Sequence, residues 1–233
     1  MTLVEKIKEK RELSDLPNEF VEKILSEVDP KLNDRARLKK TREKLRKIYG
    51  MFKIGENLEK NISAKTRDYK DLYKKIFSLT GKPKKIIELG CGLNGLSIKD
   101  FGFKTGYYGY DLSGKYCELS NNYFKTNKLD AECIQMDLSE INNFKKIPIC
   151  DVVLCFKVLE SLEAVKRDIS KDILKVLKCK YFVVSFSTKG LGGGVNIKKK
   201  QRVWFIRFLE ELNLKFERFE TRDELFYIVK ING

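Results

Sequence analysis

Residues 84–95 read Lys-Lys-Ile-Ile-Glu-Leu-Gly-Cys-Gly-Leu-Asn-Gly, a short apolar run that closes on a carboxylate, Glu88, and passes into a turn. Gly90, Gly92 and Gly95 let the backbone N–H groups of that turn come close to a ligand. A strand, a glycine turn and then a helix make the opening unit of a doubly wound α/β domain that holds a nucleotide-type cofactor.

Downstream, strands and helices alternate as a parallel sheet requires. Apolar runs predict strands over 85–89, 107–111, 131–136, 151–156 and 181–186, with helices over 96–101, 115–125, 164–177 and 199–212. The pattern then changes. Strands over 215–219 and 224–230 have no room for a crossover helix between them, so they must run antiparallel. A parallel sheet finished by such a hairpin resembles the class I methyltransferases.

Upstream, Tyr69, Leu72, Tyr73, Ile76 and Phe77 mark a helix before the first strand, ended by Gly81 and Pro83. Phe20, Val21, Ile24, Leu25 and Val28 recur at helical spacing over 18–28, and a second helix spans 34–52. That second helix carries Leu38, Leu45, Ile48, Tyr49 and Phe52 on one stripe. Arg35, Arg37, Lys39, Lys40, Arg42, Lys44, Arg46 and Lys47 crowd its other faces. A charge run is commonly a solvated face, but one so one-sided can also track phosphates. The expected organisation is a basic helical module over 1–66 and a catalytic domain over 67–233.

Lys and Arg number 48 against 33 Asp and Glu, a net charge of +15, which favours a polyanionic partner; a Lys-rich surface kept for solubility is the alternative. No run has the roughly 18 apolar residues of a membrane span, and the charged N-terminus does not read as a signal peptide. A cytoplasmic monomer is expected. The 6 cysteines lie singly, mostly in apolar segments, and read as reduced and buried. With no histidine, Cys/His zinc sites and His-dependent nucleophiles drop out, and no metal is expected.

Taken literally, Gly90 to Gly95 fits the G-x-G-x-x-G dinucleotide pattern, with Asp111 placed for a ribose at the end of the next strand. NAD would bring a pyrophosphate; S-adenosylmethionine (SAM) brings an ammonium, a carboxylate and a sulfonium. Glu88 beside the cationic end suits SAM and repels pyrophosphate. Asp137, after the third strand, stands where class I methyltransferases keep a group for the adenine amine. A helix cap at Asp111 and a turn residue at Asp137 are the plainer alternatives.

Further motifs narrow the family. Gly90-Cys91-Gly92-Leu93-Asn94, Phe156-Lys157-Val158-Leu159, 185–192 (Ser-Phe-Ser-Thr-Lys-Gly-Leu-Gly), 223–228 (Asp-Glu-Leu-Phe-Tyr-Ile) and 44–50 (Lys-Leu-Arg-Lys-Ile-Tyr-Gly) together resemble the 16S rRNA methyltransferases of aminoglycoside resistance, guanine-N7 type. The resemblance implies that Arg67, with Ser63, holds the SAM carboxylate. It implies that Gly90 and Gly92 line the methionine end, Asp111 and Leu112 the ribose, and Asp137 and Leu138 the adenine, with Phe156 nearby. Ser185, Phe186, Ser187, Thr188 and Lys189 would form the target-base loop, Lys189 also touching RNA. The basic module would dock on 16S rRNA or the 30S subunit. No acid–base residue is implied, since guanine N7 offers a lone pair and carries no proton.

Departures cluster near the base and the link. Asn61, Ala64, Thr66, Gly95, Ser187 and Gly190 replace the family's residues. They leave open another rRNA or tRNA base, or a SAM- and RNA-binding assembly factor without turnover. Cys155, near a strand end but without a preceding Pro, reads as a core cysteine more readily than as a nucleophile.

Overall fold

The structure is a computed structural model that describes residues 1–49, 67–188 and 202–231. Seven strands form one sheet: β1 (Lys85–Leu89), β2 (Gly106–Asp111), β3 (Ala131–Gln135), β4 (Cys150–Phe156), β5 (Cys179–Ser187), β6 (Lys215–Glu220) and β7 (Glu224–Lys230). Their order is β3-β2-β1-β4-β5-β7-β6. β1 to β5 pair in parallel, and β7 lies antiparallel between β5 and β6. This is the class I methyltransferase sheet that the hairpin implied.

Alternation along the central strands builds two cores. Ile86, Val152, Leu154 and Phe156 face α4 (Tyr69–Thr80) and α5 (Gly114–Thr126), whereas Ile87, Leu89, Val153 and Cys155 face the opposite layer. That layer contains α6 (Leu159–Val165), α7 (Ile169–Val176) and α8 (Val203–Glu211). By the same period Glu88 falls on the Ile86 side, under α4.

A third core holds the N-terminal module: α1 (Leu3–Lys8), α2 (Asn18–Ser26) and α3 (Asp34–Tyr49) pack around Leu13, Leu16, Val21, Ile24 and Leu45. Leu112 and Val165 of the sheet domain pack against that core.

Two predicted helices need correction. The single helix over 164–177 is two helices, broken where Asp168 takes φ 63°. Glu163 accepts from the backbone N–H groups of Asp168 and Ser170, both at 2.8 Å, and so caps α7 from the end of α6. The segment after the glycine turn is a 3-10 helix, Asn94–Phe101, closed by Gly102 in the left-handed region. No described helix is long and apolar enough to cross a membrane.

Candidate active site

The C-terminal ends of the parallel strands, where doubly wound sheets bind ligands, enclose a cleft with about 830 Å³ of free space including its mouth. Arg67, Gly90, Gly92, Asp111, Leu112, Asp137, Leu138 and Phe156 all line it, so most of the sequence-predicted cofactor residues come together. Ser63 and Lys189 lie outside the described residues.

The glycine turn is shaped to leave room. Gly90 has φ +64°, and a Cβ there would stand 2.4 Å from a Val158 methyl. Its N–H and that of Cys91 donate to the Tyr110 carbonyl at 2.7 and 3.2 Å, which ties the turn to β2. The Gly92 N–H donates to Asp111 Oδ2 at 2.8 Å, and the Ser113 N–H donates to Oδ1 at 2.9 Å. Burial raises the Asp111 pKa and these two amides offset part of the rise. Gly95 serves packing instead: a Cβ there would meet the Phe124 ring at 2.7 Å.

Asp137 is a turn residue whose Oδ1 accepts from the backbone N–H and hydroxyl of Ser139 at 2.8 and 2.7 Å. It also lines the cleft beside Met136, Leu138 and Leu162, an apolar slot with one carboxylate at its edge. At the other end Arg67 lies 5.1 Å over the Phe156 ring and donates from Nη1 to Asn94 Oδ1 at 3.2 Å.

Glu88 departs from its expected place, since it does not line the cleft. It is fully buried, accepting from Asn94 Nδ2 and the Tyr107 hydroxyl, each at 2.7 Å. Strand alternation turns it beneath the glycine turn, so it braces Asn94 where a ligand contact was expected. Burial raises its pKa, its two donors and Arg67 pull it back, and it settles at about 7.

The resemblance gave no role to Glu224, the first residue of β7. Its carboxylate takes a two-point pair from Arg67, a hydrogen bond from Ser185 Oγ at 2.7 Å and an ion pair with Lys157 at 3.2 Å. Burial acts to raise its pKa, yet the Arg67 charge and hydrogen bonds, with Lys157 and Ser185, hold it below the usual carboxylate value. Lys157 adopts φ 61° at the end of β4, a position of backbone strain beside the cleft. An acid opening an otherwise apolar strand was the signal for Glu224; nothing in the sequence paired it with Arg67.

The target-base loop also needs revision. Ser185 and Phe186 belong to β5 and are buried; Phe186 packs on Trp204, Phe205 and Tyr227. Ser187 ends the strand, and the Thr188 N–H donates to the Asp223 carbonyl at 2.9 Å. Only these last two are half-exposed. Cys155 is buried and its thiol pKa is raised by burial, as a core cysteine requires.

On α3, Arg35 and Lys40 are exposed and Arg37 is half-buried. Arg42 is turned inward, donating to the carbonyls of Lys6 and Ile7 at the end of α1 and pairing with Glu9 at 3.5 Å. It closes the module, and its guanidinium is largely committed to α1, a structural role that the sequence did not show. Lys44 pairs with Glu27 and Arg46 with Glu12. The Lys47 side chain lies outside the described residues.

A 16S rRNA (guanine(1405)-N(7))-methyltransferase of Proteus mirabilis is 27% identical over 217 residues, 90% of this chain and 73% of that protein. The crystal structure of 16S rRNA methyltransferase RmtF in complex with S-adenosyl-L-homocysteine has a TM-score of 0.85 at 25% identity, covering 99% of this chain and 97% of that one. The 16S rRNA methylase RmtB shares the fold at a TM-score of 0.77 and 21% identity, over 99% and 97% of the two chains. The family model described as ribosomal RNA methyltransferase (FmrO) matches residues 53–228, and the chain belongs to that family.

Proposed function

We propose that this protein transfers a methyl group from SAM to a base of 16S rRNA, at guanine N7 near the decoding site, acting as a monomer in the cytoplasm. The observation that carries this reading is the order that the sheet imposes on groups lining the cleft: Arg67 over Phe156 at the end of β4, then the glycine turn after β1, Asp111 at the end of β2, and Met136, Asp137 and Leu138 after β3. Those groups suit a carboxylate, a ribose and an adenine in turn. The glycine turn leaves the close approach that such a ligand needs.

When bound, SAM supplies a methyl on a sulfonium. The chain's own part is to bind and align. Arg67, kept cationic by Glu224, offers its guanidinium to a carboxylate; Phe156 stacks under it and shields that end from water. Asp111 is fixed by two backbone amides, so it accepts from a diol without reorganising. Because guanine N7 has no proton to lose, alignment within near-attack distance supplies the catalysis and no general base is required.

Residues 1–66 serve in this reading as the rRNA-docking module and 67–233 as the methyl-transfer domain. Exposed Arg35 and Lys40 on α3 support a phosphate-tracking role, as does the net charge of +15. The reading is tested with methyl-labelled SAM, naked 16S rRNA and intact 30S subunits. Label in a single guanine is expected, and no label in either RNA form would overturn it.

A further inference from the structure

The cleft is not built by the sheet domain alone. Phe20 of α2 and Ile48 of α3 line it, and both are nearly buried, at 3% and 8% exposure. They face the same cavity as Leu138 and Val165 of the sheet domain.

Polar contacts fix this wall at the two strand ends that the cofactor reading uses. Asp15 accepts from the Ser113 hydroxyl, two residues after Asp111, and its carbonyl accepts from Gln135 Nε2 at 3.1 Å. Lys23 donates to Ser139 Oγ at 2.9 Å and pairs with Glu140, just beyond Asp137. Each latch ends on a segment that also lines the cleft.

Resting on the methyltransferase reading above, we infer that Phe20 and Ile48 are cofactor-binding residues, and that the N-terminal module is one wall of the SAM site. Cofactor binding and seating of the module against the sheet domain are therefore linked. A ligand that contacts both parts stabilises their contact, and by reciprocity a seated module binds that ligand more tightly. Because α3 carries the exposed basic residues, cofactor occupancy also fixes the surface offered to RNA.

Amide hydrogen exchange of the full chain, with and without S-adenosylhomocysteine, tests this. The expected result is slowed exchange in 18–26 and 34–49 as well as in the glycine turn at 90–95. Slowing in the turn with both helices unchanged would overturn the inference and leave the methyltransferase reading intact. Slowing in neither would overturn both. Phe20→Ala, checked for retained helicity, is expected to bind S-adenosylhomocysteine about tenfold more weakly; unchanged affinity would show that this wall makes no contact. If that variant fails to fold, the exchange measurement on the unmodified protein decides alone.

Discussion

Arg67 and Glu224 meet in a two-point ion pair, Nε to Oε1 at 2.6 Å and Nη2 to Oε2 at 2.9 Å, with side chains only 4% and 1% exposed. The pair joins the segment before α4 to the start of β7 and leaves Nη1 directed at Asn94. One guanidinium therefore has two tasks, holding the C-terminal hairpin and presenting charge to the cleft. Removing one partner of a buried pair strands the other charge, at a cost of about 3–5 kcal/mol. Arg67→Ala is expected to lower stability by that order and also to weaken S-adenosylhomocysteine binding. Denaturant unfolding beside calorimetric titration checks both. Glu224→Gln should cost stability while retaining more of the affinity, because the guanidinium remains.

Two buried carboxylates impose opposite pH dependences. Glu224 is held below its ordinary pKa, so its stabilisation is complete above about pH 4.5 and is lost as pH falls through its folded value. Glu88 is raised from 4.5 to about 7, so the protonated form favours the fold below about pH 4.5, and that advantage fades up to about pH 7. Over the full window it amounts to on the order of 3 kcal/mol. Glu88→Gln removes the charge; its one carbonyl oxygen accepts from Asn94 Nδ2, and its NH2 faces the Tyr107 hydroxyl oxygen, which can accept from it. The substitution should flatten stability between pH 5 and 7. Urea midpoints across pH measure this, and an unchanged slope would refute it.

Gly90 carries the shape of the turn. Gly90→Ala must place a Cβ 2.4 Å from Val158 at φ +64°, so it should lose about 2 kcal/mol or more and weaken S-adenosylhomocysteine binding at least tenfold. Adding Val158→Ala relieves the contact but not the backbone conformation, and should restore only part of the affinity. Full restoration would mean that the left-handed conformation matters little.

RNA affinity separates the exposed from the inward basic residues of α3. Replacing Arg35 and Lys40 by Ala should reduce the salt dependence of rRNA binding by about one unit of slope each and leave cofactor affinity unchanged. Arg42→Ala should instead destabilise the module, since it releases the carbonyls of Lys6 and Ile7. Filter binding over a salt series and thermal unfolding distinguish the two effects.

The sheet was legible in the sequence because alternation and turn chemistry are local. Ile86 and Ile87 point to opposite cores because they are neighbours on a strand, and the short link between β6 and β7 left only an antiparallel solution. What eluded sequence reading depends on partners distant in the chain. Glu88 reads as a ligand group until Tyr107 and Asn94 occupy its two oxygens. Arg42 reads as one more surface cation until α1 supplies carbonyls for it. Glu163 gave no sign that it would cap a second helix and split 164–177. Likewise Phe20 and Ile48 look like ordinary core positions on amphipathic helices, and only the packing of the module against Leu112 and Val165 brings them to the cleft.

The identity of the methylated atom separates guanine-N7 transfer from every other base modification. Intact 30S subunits are incubated with the protein and methyl-labelled SAM, and the 16S rRNA is digested and mapped by mass spectrometry. One 7-methylguanosine near the decoding site is the expected result. Methyl on an exocyclic amine, a ribose hydroxyl or a cytosine carbon, or no transfer at all, would contradict it.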